Sequence, residues 1–159
     1  VYSELKDFNT YSLKPYGWGS LESIISGRAL KEKGIETALK QKDSMMLSIA
    51  GNDKNKITAK TVFDAAKEGD PHAYYILKES FRYFNMWLCN IINTLNPERV
   101  IIGGGISNSG KFLLDFILDE IREKVLIVPE FVISDLKDKA AVLGAIAYLI
   151  EQSDFFKEL

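Results

Sequence analysis

Arg99-Val100-Ile101-Ile102-Gly103-Gly104-Gly105-Ile106-Ser107 sets a short β-branched run directly before three glycines. Asn96-Pro97 stops whatever helix precedes it, so Arg99 to Ile102 is predicted to be a short, buried strand. The glycines end that strand. Ser107 to Ser109 then offer caps to a helix from about Gly110 to Lys124, with Phe112, Leu113, Phe116, Ile117 and Ile121 marking its faces. A second strand is expected over Phe131 to Ser134, before a last Ala-rich helix from about Lys137 to Gln152. Strand, glycine turn, helix, strand, helix is an α/β order, for which parallel pairing with a right-handed helical crossover is the default.

Upstream, Asp70-Pro71 supplies a capping carboxylate and a proline suited to a first helical position. Tyr74, Leu77, Phe81, Phe84, Leu88, Ile91 and Leu95 then step by three and four, and apolar residues on other faces predict a largely buried helix. Thr58 is a plausible cap for a helix through Lys67, ended near Gly69. Ser20 can cap a helix carrying Leu21, Ile24, Ile25 and Leu30, with a second short helical stretch after Gly34. Gln41 to Lys56 has no assignable period. Val1 to Gly19, broken by Asn9, Pro15, Gly17 and Gly19, is expected to be loop.

The 159 residues suit one domain, and a formal charge of −2 gives no field to recruit phosphate backbones or anionic lipid. With 47% hydrophobic and 26% charged residues the composition is globular, and one Cys excludes an internal disulfide or an all-Cys zinc site. No apolar run approaches a membrane span. The opening at Val1, inside an aromatic-rich stretch, is expected to continue an earlier part of a longer, cytoplasmic protein.

A glycine run at the carboxyl end of a strand, handing over to a helix N-terminus, has free backbone N–H groups and no Cβ atoms in the way. Phosphate or the ribose-adenine part of a nucleotide is the natural ligand, so Gly103, Gly104, Gly105, Ile106 and Ser107 are candidate nucleotide-binding residues. A side chain at Gly104 is expected to weaken binding with little effect on stability away from the turn. Gly105 to Lys111 also has the spacing of a P-loop up to its lysine, a remote alternative, but Phe112 stands where a hydroxyl would bind Mg²⁺. The dinucleotide pattern fails because Asn108 occupies its last glycine position. His72 is expected at the surface, Cys89 as a buried hydrophobe, and Tyr74, Phe81, Phe84 and Trp87 as core.

Taken together, Val100 to Ile106, the preceding Leu95-Asn96-Pro97 and the late Ala141-Val142-Leu143-Gly144-Ala145 resemble the carboxyl-terminal half of the ROK family of sugar kinases and sugar-responsive repressors. Tyr16 to Gly27 looks like the segment in which that family places a cysteine-rich zinc loop, then Leu-Glu and a Ser-Gly helix. The resemblance implies an actin-like ATPase (ribonuclease H-like) fold, with residues 1–159 forming one lobe of a two-lobe protein. It implies sugar between the lobes and ATP with Mg²⁺ at the glycine-rich strand ends. Partners would be the amino-terminal lobe, a second copy in a homo-oligomer, and nucleic acid only through a domain outside these residues.

Glu22 matches the family's glutamate that hydrogen-bonds sugar hydroxyls, and Glu4 and Asp7 align with the family's Glu and His in its Gly-Glu-Ile-Gly-His segment. The four positions that hold zinc in the family read Asp7, Leu13, Pro15 and Ser20, so no zinc is expected, and Tyr11, Tyr16 and Trp18 are left to hold the loop by packing. No residue matches the family's catalytic Asp. Two functions follow from the resemblance: an ATP-dependent kinase of a hexose or N-acetylhexosamine, inactive as this chain alone, or a sugar-sensing effector domain of a transcriptional repressor.

Overall fold

The computed structural model describes residues 20–136 and 139–152. Seven α-helices are described: α1 (Glu22–Ile25), α2 (Gly27–Lys40), α3 (Met46–Ile49), α4 (Ala59–Lys67), α5 (Pro71–Leu95), α6 (Lys111–Ile121) and α7 (Ala140–Gln152). Two strands, β1 (Arg99–Ile102) and β2 (Glu130–Ile133), pair in parallel with Arg99 opposite Glu130 and Ile102 opposite Ile133. The strand assignments therefore hold, β2 one residue earlier than expected.

Local chemistry explains most boundaries. Thr58 and Thr61 form a reciprocal capping box at α4. Asp70 caps α5 with Pro71 at its first position, and Asn96 ends that helix in the left-handed region at φ 44°. The helix expected from Ser20 breaks instead at Ser26, whose extended backbone ends α1 and whose hydroxyl accepts from Ala29 N, 3.1 Å away, to cap α2. Beyond the break α2 runs unbroken through Gly34, where a separate short helix was expected. The unassigned stretch from Gln41 holds α3 and a 3₁₀ turn over Lys54–Lys56.

The core lies where α2, α4, α5 and α6 meet, around Leu30, Val62, Phe63, Leu77, Phe81, Leu113, Ile117 and Ile121. Edge-to-face rings bind these helices together: the Phe63 ring lies 6.2 Å from that of Phe81 and 6.4 Å from that of Phe112. Phe81 is buried, as expected, and Phe84 is partly so, but Tyr74 and Trp87 are nearly half exposed. They sit on the outer side of a helix whose inner stripe already fills the core.

β1 is not the buried strand expected. Val100 and Ile102 pack against the core, whereas Ile101 is 64% exposed, because among the described residues only one face of the two-stranded sheet is covered. The same holds for α7, which has no buried residue and leaves Val142, Leu143, Ile146 and Leu149 open. Among the described residues no helix is long and apolar enough to cross a membrane.

Gly34 sets how closely α2 approaches α4. A Cβ there would stand 2.8 Å from a Val62 methyl and 3.2 Å from an Ile57 methyl, and both neighbours are fully buried. Gly34→Ala gains about 1 kcal/mol of helix propensity but must displace stiff β-branched side chains in a full core, at about 1–3 kcal/mol. Overpacking should win, and a lowered denaturation midpoint with unchanged m-value would show it.

Candidate functional site

The turn after β1 is built in two parts. Gly104 has φ 77° and ψ −176°, a region essentially confined to glycine. A 3₁₀ turn over Gly105–Ser109 follows, in which the buried Ser107 donates its hydroxyl to Gly104 O at 2.7 Å and its N–H to the same carbonyl at 3.1 Å. Gly110, at φ 60° and ψ −136°, then turns the chain into α6, and no side chain caps that helix. Ser107 to Ser109 are thus spent in the 3₁₀ turn rather than as caps, and the glycine run does not lead straight into a helix N-terminus.

The glycines differ in what requires them. At Gly103 a Cβ would make an ordinary 3.7 Å contact with the Ser134 Cβ. At Gly104 there is room among the described residues, but the positive φ excludes a side chain without strain. A side chain at Gly104 therefore strains the turn itself, whatever it does to stability away from the turn. Gly105 has neither a positive φ nor any neighbour within 4 Å of a built Cβ among the described residues. Turning does not explain it.

Gly105 forms part of the wall of a cavity of about 360 Å³. Ile106, Asn108 and Ser109 continue that wall, Gly27 borders it at the start of α2, and α4 supplies Ala59, Lys60, Phe63, Asp64 and Lys67. The α4 residues recur at helical spacing and so share one face. Lys60 pairs with Asp64 one turn along, and the Lys67 ammonium lies 5.7 Å from the centroid of the Phe112 ring. The cavity is therefore lined by two lysines and a carboxylate from α4 beside the turn, in a volume within the range for small-molecule sites. The helical spacing of Lys60, Asp64 and Lys67 marks only a charged helix face in the sequence, and its place beside the turn comes from tertiary packing.

Of the candidate nucleotide-binding residues, Gly105 and Ile106 line the cavity, while Gly103, Gly104 and Ser107 support it from the turn. Glu22 is exposed on α1, without a partner among the described residues and outside the cavity lining. Glu4, Asp7, Leu13 and Pro15, with Tyr11, Tyr16 and Trp18, lie outside the described residues. Ser20 is described, and Ser23 donates its hydroxyl to Ser20 O at 2.6 Å. His72 pairs with Asp43, Nε2 to Oδ1 at 3.1 Å. Cys89 is buried, and that burial pushes its thiol pKa up, so it is a poor nucleophile. Among the described residues no group of three or more His, Cys, Asp or Glu side chains could hold a metal ion.

A parallel strand pair ending in a glycine turn beside a half-open cavity defines an α/β protein with a ligand crevice at a strand's carboxyl end. A family model described as ROK family matches residues 17–152, and the chain belongs to that family. It is 35% identical over 142 residues to a glucokinase of Thermotoga maritima, covering 84% of this chain and 43% of that protein. It is 32% identical over 144 residues to a xylose repressor of Caldicellulosiruptor bescii, covering 88% of this chain and 36% of the repressor. Among solved structures, a ROK family glucokinase from Streptomyces griseus, in complex with glucose and AMPPNP, superimposes with a TM-score of 0.73 at 27% identity. That match covers 86% of this chain and 46% of the glucokinase. The fold is thus that of the ROK kinases, of the actin-like ATPase class, and the chain spans less than half the length of these relatives.

Proposed function

We propose that residues 1–159 form the carboxyl-terminal lobe of an ATP-dependent sugar kinase acting on a hexose or N-acetylhexosamine. The observation that carries this reading is Gly105, a glycine the backbone does not need, on the wall of a 360 Å³ cavity lined by two lysines. ATP fits that chemistry: the lysines suit phosphates, and the part-buried Ile106 offers apolar surface to a base. Mg²⁺ would arrive on the triphosphate as part of the substrate. Glu22, with Glu4 and Asp7, is assigned to the sugar, and no zinc is assigned.

Relatives about twice as long, the bare face of α7 and the open face of β1 support a second lobe closing over this one. Closure would exclude water and supply a catalytic base, for which no residue here is a match. This chain alone should therefore turn nothing over. The 32% identity to a repressor supports a second reading, in which the same cleft senses sugar without turnover. A catalytic Asp or a DNA-binding segment in the full open reading frame separates the two.

Calorimetric titration of this chain with ATP and Mg²⁺ is the direct test. Saturable binding without sugar phosphorylation in a coupled assay is expected. No binding at about 1 mM ATP by the full-length protein either, where a site worth roughly −4 kcal/mol would be half filled, overturns the nucleotide assignment.

A further inference from the structure

α1, the turn that carries Glu22, is four residues long. A helix of one turn has no stability of its own, and the extended backbone at Ser26 disconnects its direction from that of α2. Something else must fix it. Ile24 is buried on its inner side, and the carbonyls at its end lack helical partners. One of these, Ile24 O, accepts a hydrogen bond from Lys33 Nζ at 3.3 Å, and the same ammonium donates to Ser80 Oγ at 2.7 Å.

The three groups come from three elements: α1, α2 and the middle of α5, where Ser80 is fully buried. Lys33 is also the residue before Gly34, whose close seat on Val62 holds α2 in one rotation. The lysine therefore reaches α1 from a rigid base.

We propose that Lys33 is a positioning residue for the sugar site, tying α1 to α5 through Ile24 O and Ser80 Oγ and so setting where the Glu22 carboxylate stands. The inference rests on the assignment of Glu22 to sugar. Burial lowers the Lys33 pKa to about 8, partly offset by the charge of Glu79. An ammonium is thus held where an apolar side chain of similar length would avoid the desolvation cost. The ammonium gives what the apolar chain cannot, directed hydrogen bonds to two elements at once.

A double-mutant cycle in the full-length protein separates positioning from general support. The probe is the tightest-binding member of a panel of D-glucose, D-mannose, D-xylose and N-acetyl-D-glucosamine, titrated by calorimetry beside ATP. Lys33→Met should weaken sugar binding about tenfold, a coupling ordinary for residues linked through a shared backbone shift, with ATP affinity held within about twofold. Ser80→Ala should shift sugar affinity in the same direction by less, and Lys33→Arg should restore most of it. In a Glu22→Gln background the Lys33→Met effect should largely vanish.

Equal effects in both backgrounds, or parallel loss of ATP affinity, would overturn the inference. Glu22→Gln weakening sugar while Lys33→Met does not would overturn it too, and would leave Glu22 in place. Glu22→Gln without effect, or a parent that binds none of the sugars, removes the Glu22 assignment and the strut with it.

Discussion

Asp70→Ala should cost about 3–5 kcal/mol, the sum of a lost helix cap and of buried donors left without an acceptor, and a large share of the roughly 5–15 kcal/mol that holds a domain folded. Asp70 is fully buried. Its Oδ1 accepts from His72 N at 2.8 Å and Ala73 N at 3.1 Å, capping α5. Its Oδ2 accepts from Ser44 Oγ at 2.8 Å and Met45 N at 2.7 Å, pinning the segment that leads into α3. Alanine deletes the cap, about 1 kcal/mol, and strands donors in the interior at about 1–3 kcal/mol each. Urea denaturation should show the loss as a lowered midpoint. Asp70→Asn should cost less, since one oxygen still caps α5 while the amide faces donors it cannot accept from.

The same carboxylate links stability to acid. Burial pushes the Asp70 pKa up, but the hydrogen bonds from Ala73 N, Ser44 Oγ, Met45 N and His72 N together outweigh it and hold the group below the usual carboxylate range. Because the folded pKa is depressed, this stabilisation is present in full above the unfolded value of about 3.9 and is lost as pH falls through the folded one. Asp70→Asn should flatten that part of the acid limb, and an unchanged slope below about pH 4 would show that other carboxylates carry it.

How much of this was legible beforehand depended on how local each cause is. The Asp70-Pro71 start of α5, the Thr58 cap and the span of β1 follow from neighbouring residues, and the structure keeps them. The break at Ser26 was hidden because Ile24, Ile25 and Leu30 fit one helical period across it, although a serine before a glycine can end one helix and cap the next. The exposure of Ile101 and of α7 was not legible, since burial depends on what covers a face rather than on its apolarity. The cavity needed tertiary structure: Lys60, Asp64 and Lys67 meet Gly105 only once α4 packs beside the turn.

Gly105→Val is expected to weaken ATP binding about a hundredfold, or roughly 2.7 kcal/mol, without lowering stability. Gly105 lines the cavity, has an ordinary backbone conformation and would meet no described atom within 4 Å if given a Cβ. A Cβ there meets none of the described residues, so a bound ligand is what it would oppose. Replacing glycine in a compatible conformation also reduces the freedom of the unfolded chain, worth about 0.4–1 kcal/mol in favour of folding. Binding and stability should therefore diverge, with Gly105→Ala between parent and valine in ATP affinity. Gly104→Ala is the contrasting variant: at φ 77° it strains the turn by about 1–3 kcal/mol, so lost binding there could be lost structure. Calorimetric titration and thermal melting on the same preparations give both quantities. Unchanged ATP affinity in Gly105→Val, with the melting temperature intact, would mean that the cavity wall at Gly105 faces no nucleotide and that the third glycine serves something other than ATP.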